Sequence, residues 1–197
     1  SYKISLFENR LKTAISIRDE IIDSKATPYV FSIGSDLMLI KSLRLKGNIS
    51  KNYRIPTLND LYWANTTFAE GNPNLVPESG WSGEIGITHL TSNHNFRLES
   101  STTFFRTYIN DWIIWLDAQG KYKPFNADRG KTYGGEVKAS MAKNANKISI
   151  FIDGFYTYTH STVFQNKSNV GEPMIYTPKH KFSGSLALKS QDLIVRY

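Results

Sequence analysis

A strict alternation of apolar and polar residues, sustained over stretches of ten residues or so, constrains this chain more than any other feature. Leu43, Leu45, Gly47 and Ile49 fall on one face of an extended backbone, and Arg44, Lys46, Asn48, Ser50 and Asn52 on the other. Trp81, Gly83, Ile85 and Ile87 oppose Ser82, Glu84, Gly86 and Thr88. Tyr133, Gly135, Val137, Ala139 and Met141 oppose Gly134, Glu136, Lys138 and Ser140 in the same way. Phe182, Gly184, Leu186 and Leu188 do so against Ser183, Ser185, Ala187 and Lys189. A period of two is the signature of strands, and no amphipathic helix is expected anywhere. The pattern predicts about nine strands, over 9–20, 29–39, 43–53, 79–90, 96–108, 132–142, 148–160, 181–189 and one starting near 192. Most are longer than the roughly five or six residues of a typical globular strand and match the roughly nine to eleven that cross a bilayer at a tilt.

The connections carry a second regularity. They run short at Leu39–Ser42, long at Arg54–Ser79, short at Thr91–Asn95, long at Ile109–Lys131, short at Lys143–Lys147, long at Ser161–Lys179 and short at Ser190–Gln191. Outer-membrane barrels alternate tight periplasmic turns with extended extracellular loops, whereas nothing forces the loops of a β-sandwich to alternate in length. The expected fold is therefore all-β, a segment of a large antiparallel transmembrane β-barrel, with its long loops outside the cell.

Composition agrees. With 197 residues, 40% hydrophobic and 13% aromatic, the chain is poorly supplied for a thick aliphatic core and suits a one-layer sheet. It has no apolar run of about eighteen residues, which excludes a membrane-spanning helix. Ser1 opens the chain without a basic segment and apolar stretch, so an exported protein of this sequence is expected to have lost its true N-terminus. The absence of Cys fits an exported chain and also many cytosolic domains. A net charge of +7 and a pI near 9.5 admit an anionic membrane surface or ligand. The basic residues are scattered singly rather than gathered into a stripe, so nucleic acid is not expected as a partner.

In a barrel one face of each strand meets lipid and the other a watery lumen. Arg44, Lys46, Glu84, Arg97, Glu99, Glu136 and Lys138 belong on the lumen side, because a lipid-facing charge near the midplane costs about 2–4 kcal/mol. In a soluble sheet the same residues would coat the solvent face. Trp81, Tyr156 and Tyr158 are expected at extracellular strand ends, where aromatic girdles meet headgroups, and Gly47, Gly83, Gly135 and Gly154 at bends. The final strand, Leu193 to Tyr197, stops when barely begun. Nine antiparallel strands do not close an even-numbered barrel, so the chain reads as a fragment.

One segment resembles a known family. Asn52 through Trp63 reads N-Y-R-I-P-T-L-N-D-L-Y-W, and Gly71 through Glu78 reads G-N-P-N-L-V-P-E. Both are similar to the barrel of TonB-dependent receptors. Phe105-Arg106-Thr107-Tyr108-Ile109-Asn110-Asp111-Trp112-Ile113, Asn126 with Tyr133-Gly134-Gly135-Glu136-Val137, and Tyr176-Thr177-Pro178-Lys179-His180-Lys181 follow in the family's order. The resemblance implies a barrel of about 22 strands filled by an N-terminal plug. It also implies a Gram-negative outer-membrane location and import of a scarce nutrient with energy relayed by TonB. Residues 1–197 would be a partial barrel domain from the C-terminal half, with the plug and the barrel C-terminus absent. The wording T-L-N-D-L-Y-W looks most like cobalamin receptors of Bacteroides-type bacteria, and ferric siderophore receptors share much of it. The implied partners are the TonB complex through the missing N-terminal part, outer-membrane lipid and lipopolysaccharide, a small-molecule cargo and a surface lipoprotein.

Locally, Pro56 ends a strand at its rim, and Gly71, Asn72, Pro73 and Pro77 form a rigid turn that starts the next. Those residues shape a loop base whether or not they touch cargo. Candidate cargo contacts are Arg54, Asn59, Tyr62, Trp63, Asn65 and Phe68 on the first long loop, and Trp112, Trp115, Tyr122 and Phe125 on the second. Aromatic side chains there would stack on a flat corrin or catecholate ligand. Alternatively, Trp112 and Trp115 lie in loop-borne strands that pack on neighbouring loops or insert at the outer leaflet. His89, His94, His160 and His180 lack ligand spacing, and no metal or cofactor is expected. There is no G-x-S-x-G, P-loop or H-E-x-x-H, His160 beside Ser161 is a chance pair, and no enzyme activity is expected. The Asn48, Asn65 and Asn166 triplets carry no meaning in a bacterium. A passive porin or adhesin barrel and a soluble all-β carbohydrate-binding module stand as the rival readings.

Overall fold

The computed structural model describes residues 1–22, 25–164, 171–174, 177–190 and 194–196. It is an antiparallel sheet. Its strands, numbered along the chain, are β1 (Tyr2–Leu6), β2 (Leu11–Arg18), β5 (Val30–Ile40), β6 (Leu43–Arg54), β7 (Glu78–Ser92), β8 (Phe96–Asp117), β9 (Tyr122–Ala145), β10 (Ile148–Phe164), β12 (His180–Lys189) and β13 (Ile194–Arg196), paired in that order. Two-residue β3 (Ile21–Ile22) and β4 (Lys25–Ala26) pair with each other, and β11 (Glu172–Pro173) adds to β10. Each strand of the main sheet neighbours the next one in the chain, the meander expected of an up-and-down barrel wall.

Register decides which residues share a face, because directly opposed residues project to the same side. Asp36, Lys46, Gly86, Thr103, Glu136 and Thr157 form one continuous cross-strand row. By the same pairing Arg44, Glu84, Arg97, Glu99 and Lys138 all lie on that side, as expected. The adjacent row, starting at Leu45 in β6, continues through Ile87, Thr102, Val137, Tyr156 and Phe182 on the opposite side. Lys3, Lys12, Asp36, Lys46, Glu84 and Glu136 line a single concavity of about 580 Å³. Lys3 on β1 and Glu136 on β9 can share a cavity only if the sheet curls, with the charged face inside the curve.

Apart from a few cations toward the strand ends, the outer face is bare and largely apolar. Ile85 is 54% exposed, Phe104 63% and Phe182 78%. A water-soluble protein rarely leaves so extended an apolar face uncovered. The buried residues lie elsewhere. Ile113, Ile114, Pro124, Ala127 and Val163, with Ala69 and Leu75 of the 55–77 connection, gather at the long-loop end. A one-layer wall has no interior, so protein-on-protein packing starts only where loops fold over it.

Several expectations need correction. A strand at 2–6 precedes the expected first one, and residues 7–10 are a turn in which Phe7, Glu8 and Asn9 adopt left-handed φ. A helix, α1 (Leu58–Tyr62), does exist. At five residues it spans little more than a turn and leaves no periodicity to read. The expected loop Ile109–Lys131 is instead the top of a hairpin: β8 and β9 stay paired to Asp117 and Tyr122, turning at Gln119 and Gly120. β10 likewise continues to Phe164. The pairing of β5 with β6 shifts register between Met38 and Ile40. Tyr176, Asn166, Gln191, Leu193 and Tyr197 lie outside the described residues.

Candidate functional site

The long-loop end is built around two buried carboxylates. Pro56 ends the β6 ladder, and Thr57 then caps α1. Asp60 N–H donates to the Thr57 hydroxyl at 3.1 Å, and Thr57 N–H donates back to Asp60 Oδ2 at 2.9 Å. This reciprocal capping box satisfies two helix-end donors. The same Asp60 carboxylate accepts from Arg54 Nη1 at 3.3 Å and from the Trp115 indole at 2.9 Å. Arg54 reaches Glu78 with its Nε, and Glu78 accepts the Ile113 N–H at 3.2 Å. One guanidinium thus joins the end of β6, helix α1, the start of β7 and the hairpin. Burial opposes ionisation of Asp60. Against it, the Thr57 N–H, the Trp115 indole, the Thr57 hydroxyl and the Arg54 charge together hold the carboxyl below its ordinary value.

Side-chain amides tie the rest of the loop down. Asn72 donates to the Pro124 carbonyl at 3.1 Å. Asn126 accepts the Val76 N–H and donates to the Val76 carbonyl, both at 3.0 Å, and donates to the Asp111 carbonyl at 2.7 Å. Tyr122 N–H donates to the Phe68 carbonyl and Glu70 N–H to the Tyr122 carbonyl, so Ala69 forms a parallel bridge on the hairpin tip. Glu70 pairs with Lys121 at 3.4 Å and with Lys123, and Lys121 also donates to Asn65 Oδ1 at 2.6 Å. Trp63 meets Trp115 edge-on with ring centres 6.1 Å apart. The loop from 58 to 76 is thereby held against the hairpin at many points.

The ten sequence candidates divide into three groups. Arg54, Trp112 and Trp115 hold the assembly together: Arg54 and Trp115 converge on Asp60, while Trp112 lies over Gly130 and packs on Ile114, Ala127 and Val163. Both tryptophans lie in the part of β8 that rises into the hairpin, and Trp115 packs on the neighbouring loop through Trp63 and Asp60. Tyr62, Phe68 and Tyr122 present themselves to solvent at 68%, 60% and 53% exposure. Asn59 is exposed as well, with its carbonyl used by the Trp63 N–H. Trp63, Asn65 and Phe125 line a cleft of about 400 Å³ with Glu70, Asn72 and Lys123. That is within the range of small-ligand sites, about 300–1,000 Å³, and its mix of aromatic wall and convergent polar groups suits one part of a larger ligand. Sequence reasoning missed Asp60, Glu70, Glu78 and Asn126. The Thr57-x-x-Asp60 spacing is a capping-box signal that would have exposed the first.

Comparison with known proteins places this geometry. The family profile described as TonB dependent receptor-like, beta-barrel matches residues 7–194. The chain is 30% identical over 132 residues to the vitamin B12 transporter BtuB of Photobacterium profundum, a match covering 64% of the chain and 20% of that protein. The vitamin B12 transporter BtuB of Vibrio vulnificus is 28% identical over 142 residues, covering 71% of the chain and 22% of that protein. The crystal structure of the siderophore receptor PirA from Pseudomonas aeruginosa superposes with a TM-score of 0.67 at 15% identity, covering 98% of this chain and 40% of that one. The chain spans about a fifth of the length of the curated relatives it matches.

Proposed function

The chain belongs to the TonB-dependent receptor family and to the Gram-negative outer membrane, and from that membership we propose that it forms part of the wall and outer mouth of a receptor that imports cobalamin. Import would use energy relayed from TonB through a plug N-terminal to this segment. The observation that carries the reading is the loop clasp: Arg54, Asp60, Glu78 and Trp115 fix a loop and a hairpin over one another and leave Tyr62, Phe68, Tyr122 and Phe125 outside it. Rigid aromatic side chains on a braced platform give up little freedom when a flat corrin ring stacks on them. The two vitamin B12 transporters among the curated relatives favour that cargo over a ferric siderophore.

Deletion of the full-length gene tests the proposal. Growth is expected to fail on limiting cobalamin and to continue on limiting iron. An iron-restricted defect would replace cobalamin by a siderophore as cargo, and normal growth on both would remove the import reading. In the complete receptor, joint replacement of Tyr62, Phe68 and Tyr122 by Ala is expected to weaken cobalamin binding by more than about tenfold, as loss of aromatic anchors does.

A further inference from the structure

One level of the inner face, between the charged concavity and the clasp, carries hydroxyls and no charge. Ser50, Ser82, Thr107, Thr132 and Ser161 stand directly opposite one another from β6 to β10. β5 and β2 extend the row with Ser32 and Ser16. The next inner row toward the long loops, through Asn52, Gly80, Ile109, Gly130 and Val163, is uncharged too. The rows on the other side return to charge, with Glu84 in the first and Asp36, Lys46 and Glu136 in the second. Cross-strand hydroxyl pairs add a little stability to any sheet, and Ser82 and Thr107 lie 3.2 Å apart, Thr132 and Ser161 2.9 Å. A wall that needed only wetting could carry charge at this level as it does at the others.

From β6 to β8 the two neutral rows line a cavity of about 150 Å³. Asn52, Gly80, Ser82, Thr107 and Ile109 form its floor and sides, and Arg54 and Glu78 of the clasp close its loop end. Whole-ligand sites run to roughly 300–1,000 Å³, so this one takes a single arm of a larger molecule. Its polar groups can both donate and accept. Asn52 Nδ2 donates to Ser50 Oγ at 3.1 Å, and among the described residues its Oδ1 makes no hydrogen bond. Ser82 and Thr107 share one hydrogen between them, which leaves a second O–H to give. Asparagine is depleted in strands, yet Asn52 sits inside the twelve-residue β6. The charge at the loop end of the cavity has a sign. Arg54 is the cation there and meets two carboxylates, Asp60 and Glu78, which leaves negative charge in surplus. A neutral group that donates hydrogen bonds suits such a wall, and an anionic group is repelled by it.

We propose that Asn52, Ser82 and Thr107 form a subsite for one primary carboxamide arm of the cargo, and that this subsite selects amide-bearing corrins over their carboxylate counterparts. The arm's N–H groups donate to Asn52 Oδ1, its oxygen accepts from the Ser82–Thr107 hydroxyls, and its methylene groups lie against Ile109. Hydrolysis of the amide to an acid removes the donor, leaves Asn52 Oδ1 unpaired and sets a second negative charge beside Glu78. Discrimination then comes from unmet and repelling groups rather than from fit, which is the stronger way for a site to refuse a near-isostere. The proposal rests on the cobalamin reading and deepens it. The exposed aromatic side chains of the loops hold the flat ring, and the wall beneath the clasp reads an arm at the edge of that ring.

The test uses the complete receptor with its plug, in detergent micelles at neutral pH. Equilibrium binding is measured for cobalamin and for its separated monocarboxylic acids, each with one primary amide hydrolysed. At least one acid is expected to bind at least about tenfold more weakly than cobalamin. Asn52→Lys, which places an ammonium group in the cavity, is expected to reverse that order for the same acid. The milder joint variant Ser82→Ala and Thr107→Val is expected to weaken cobalamin more than the acid and so narrow the gap. Lys46→Gln, on the charged part of the inner face, keeps the order of the unaltered receptor. Equal binding of cobalamin and every acid by the unaltered receptor overturns the inference without any variant and leaves cobalamin import standing. Failure to bind cobalamin at all overturns both. An equal loss of affinity for every probe in Asn52→Lys, with their order unchanged, assigns Asn52 to a contact with the plug and overturns the inference as well.

Discussion

Asp60 sits where four segments meet, and its chemistry sets how the loop answers to pH. Its folded pKa is depressed, so the stability it contributes is complete above the ordinary carboxylate value and is lost as pH falls through the lower, folded value. At neutral pH the clasp is closed, and release is expected only in acid, below about pH 4. Tryptophan emission, to which Trp63 and Trp115 of the clasp contribute, is expected to show that acid transition in the complete receptor. Asp60→Asn should abolish it and lower the local opening free energy by about 1 kcal/mol, read from exchange of the Asn72 amide, which donates to the Asp60 carbonyl at 2.8 Å. The figure is modest because the Arg54 side chain is 44% exposed, so water screens its pull on Asp60. An identical acid transition in Asp60→Asn would assign the titration to another group.

Among the elements, the β8–β9 hairpin does most to shape the site. The two strands are 22 and 24 residues long, and the rows past Asn110 and Arg129 lift the tip roughly 20 Å above the wall at about 3.3 Å per residue. Gly130 lets the Trp112 ring lie on the backbone, since a Cβ there would overlap the ring. Gly130→Ala is therefore expected to displace Trp112 and destabilise the hairpin by about 1–3 kcal/mol, seen as a change in near-UV circular dichroism. The wall should be spared, with the gel shift of the unheated barrel retained. Why the sequence hid this hairpin is physical. Asp111 has a left-handed φ of 54°, Gly120 turns the chain, and Pro124 lies inside the strand, all ordinarily signs of a loop. Pro124 is tolerated because its carbonyl, not an N–H, meets Asn72. The opening strand was missed for the opposite reason: its Phe7-Glu8-Asn9 turn uses no Gly or Pro to announce itself.

Across the whole molecule, the wall is legible in sequence and the clasp is not. Lipid imposes one simple condition on every second residue, and the alternation repeats it along β6, β7, β9 and β12. The clasp instead joins Arg54, Asp60, Glu78 and Trp115, and no pattern along the chain predicts which distant polar residues will meet. The two-faced wall makes a paired prediction. Ile85→Lys, on the outer face, is expected to cost about 2–4 kcal/mol in a denaturant titration of the complete receptor in lipid. Glu84→Lys, its neighbour on the inner face, should cost less than about 1 kcal/mol. Equal costs would mean that the two faces do not meet different solvents.

The missing interior of the wall has a last consequence, for how this sequence can drift. A buried side chain must match the shape left by its neighbours, but Leu45, Ile87, Val137 and Leu186 fit against hydrocarbon that flows to fit them. Ile, Leu, Val and Phe should exchange there almost freely over generations, with greasiness kept and volume ignored. Trp112 and Gly130, locked in contact, can change only together.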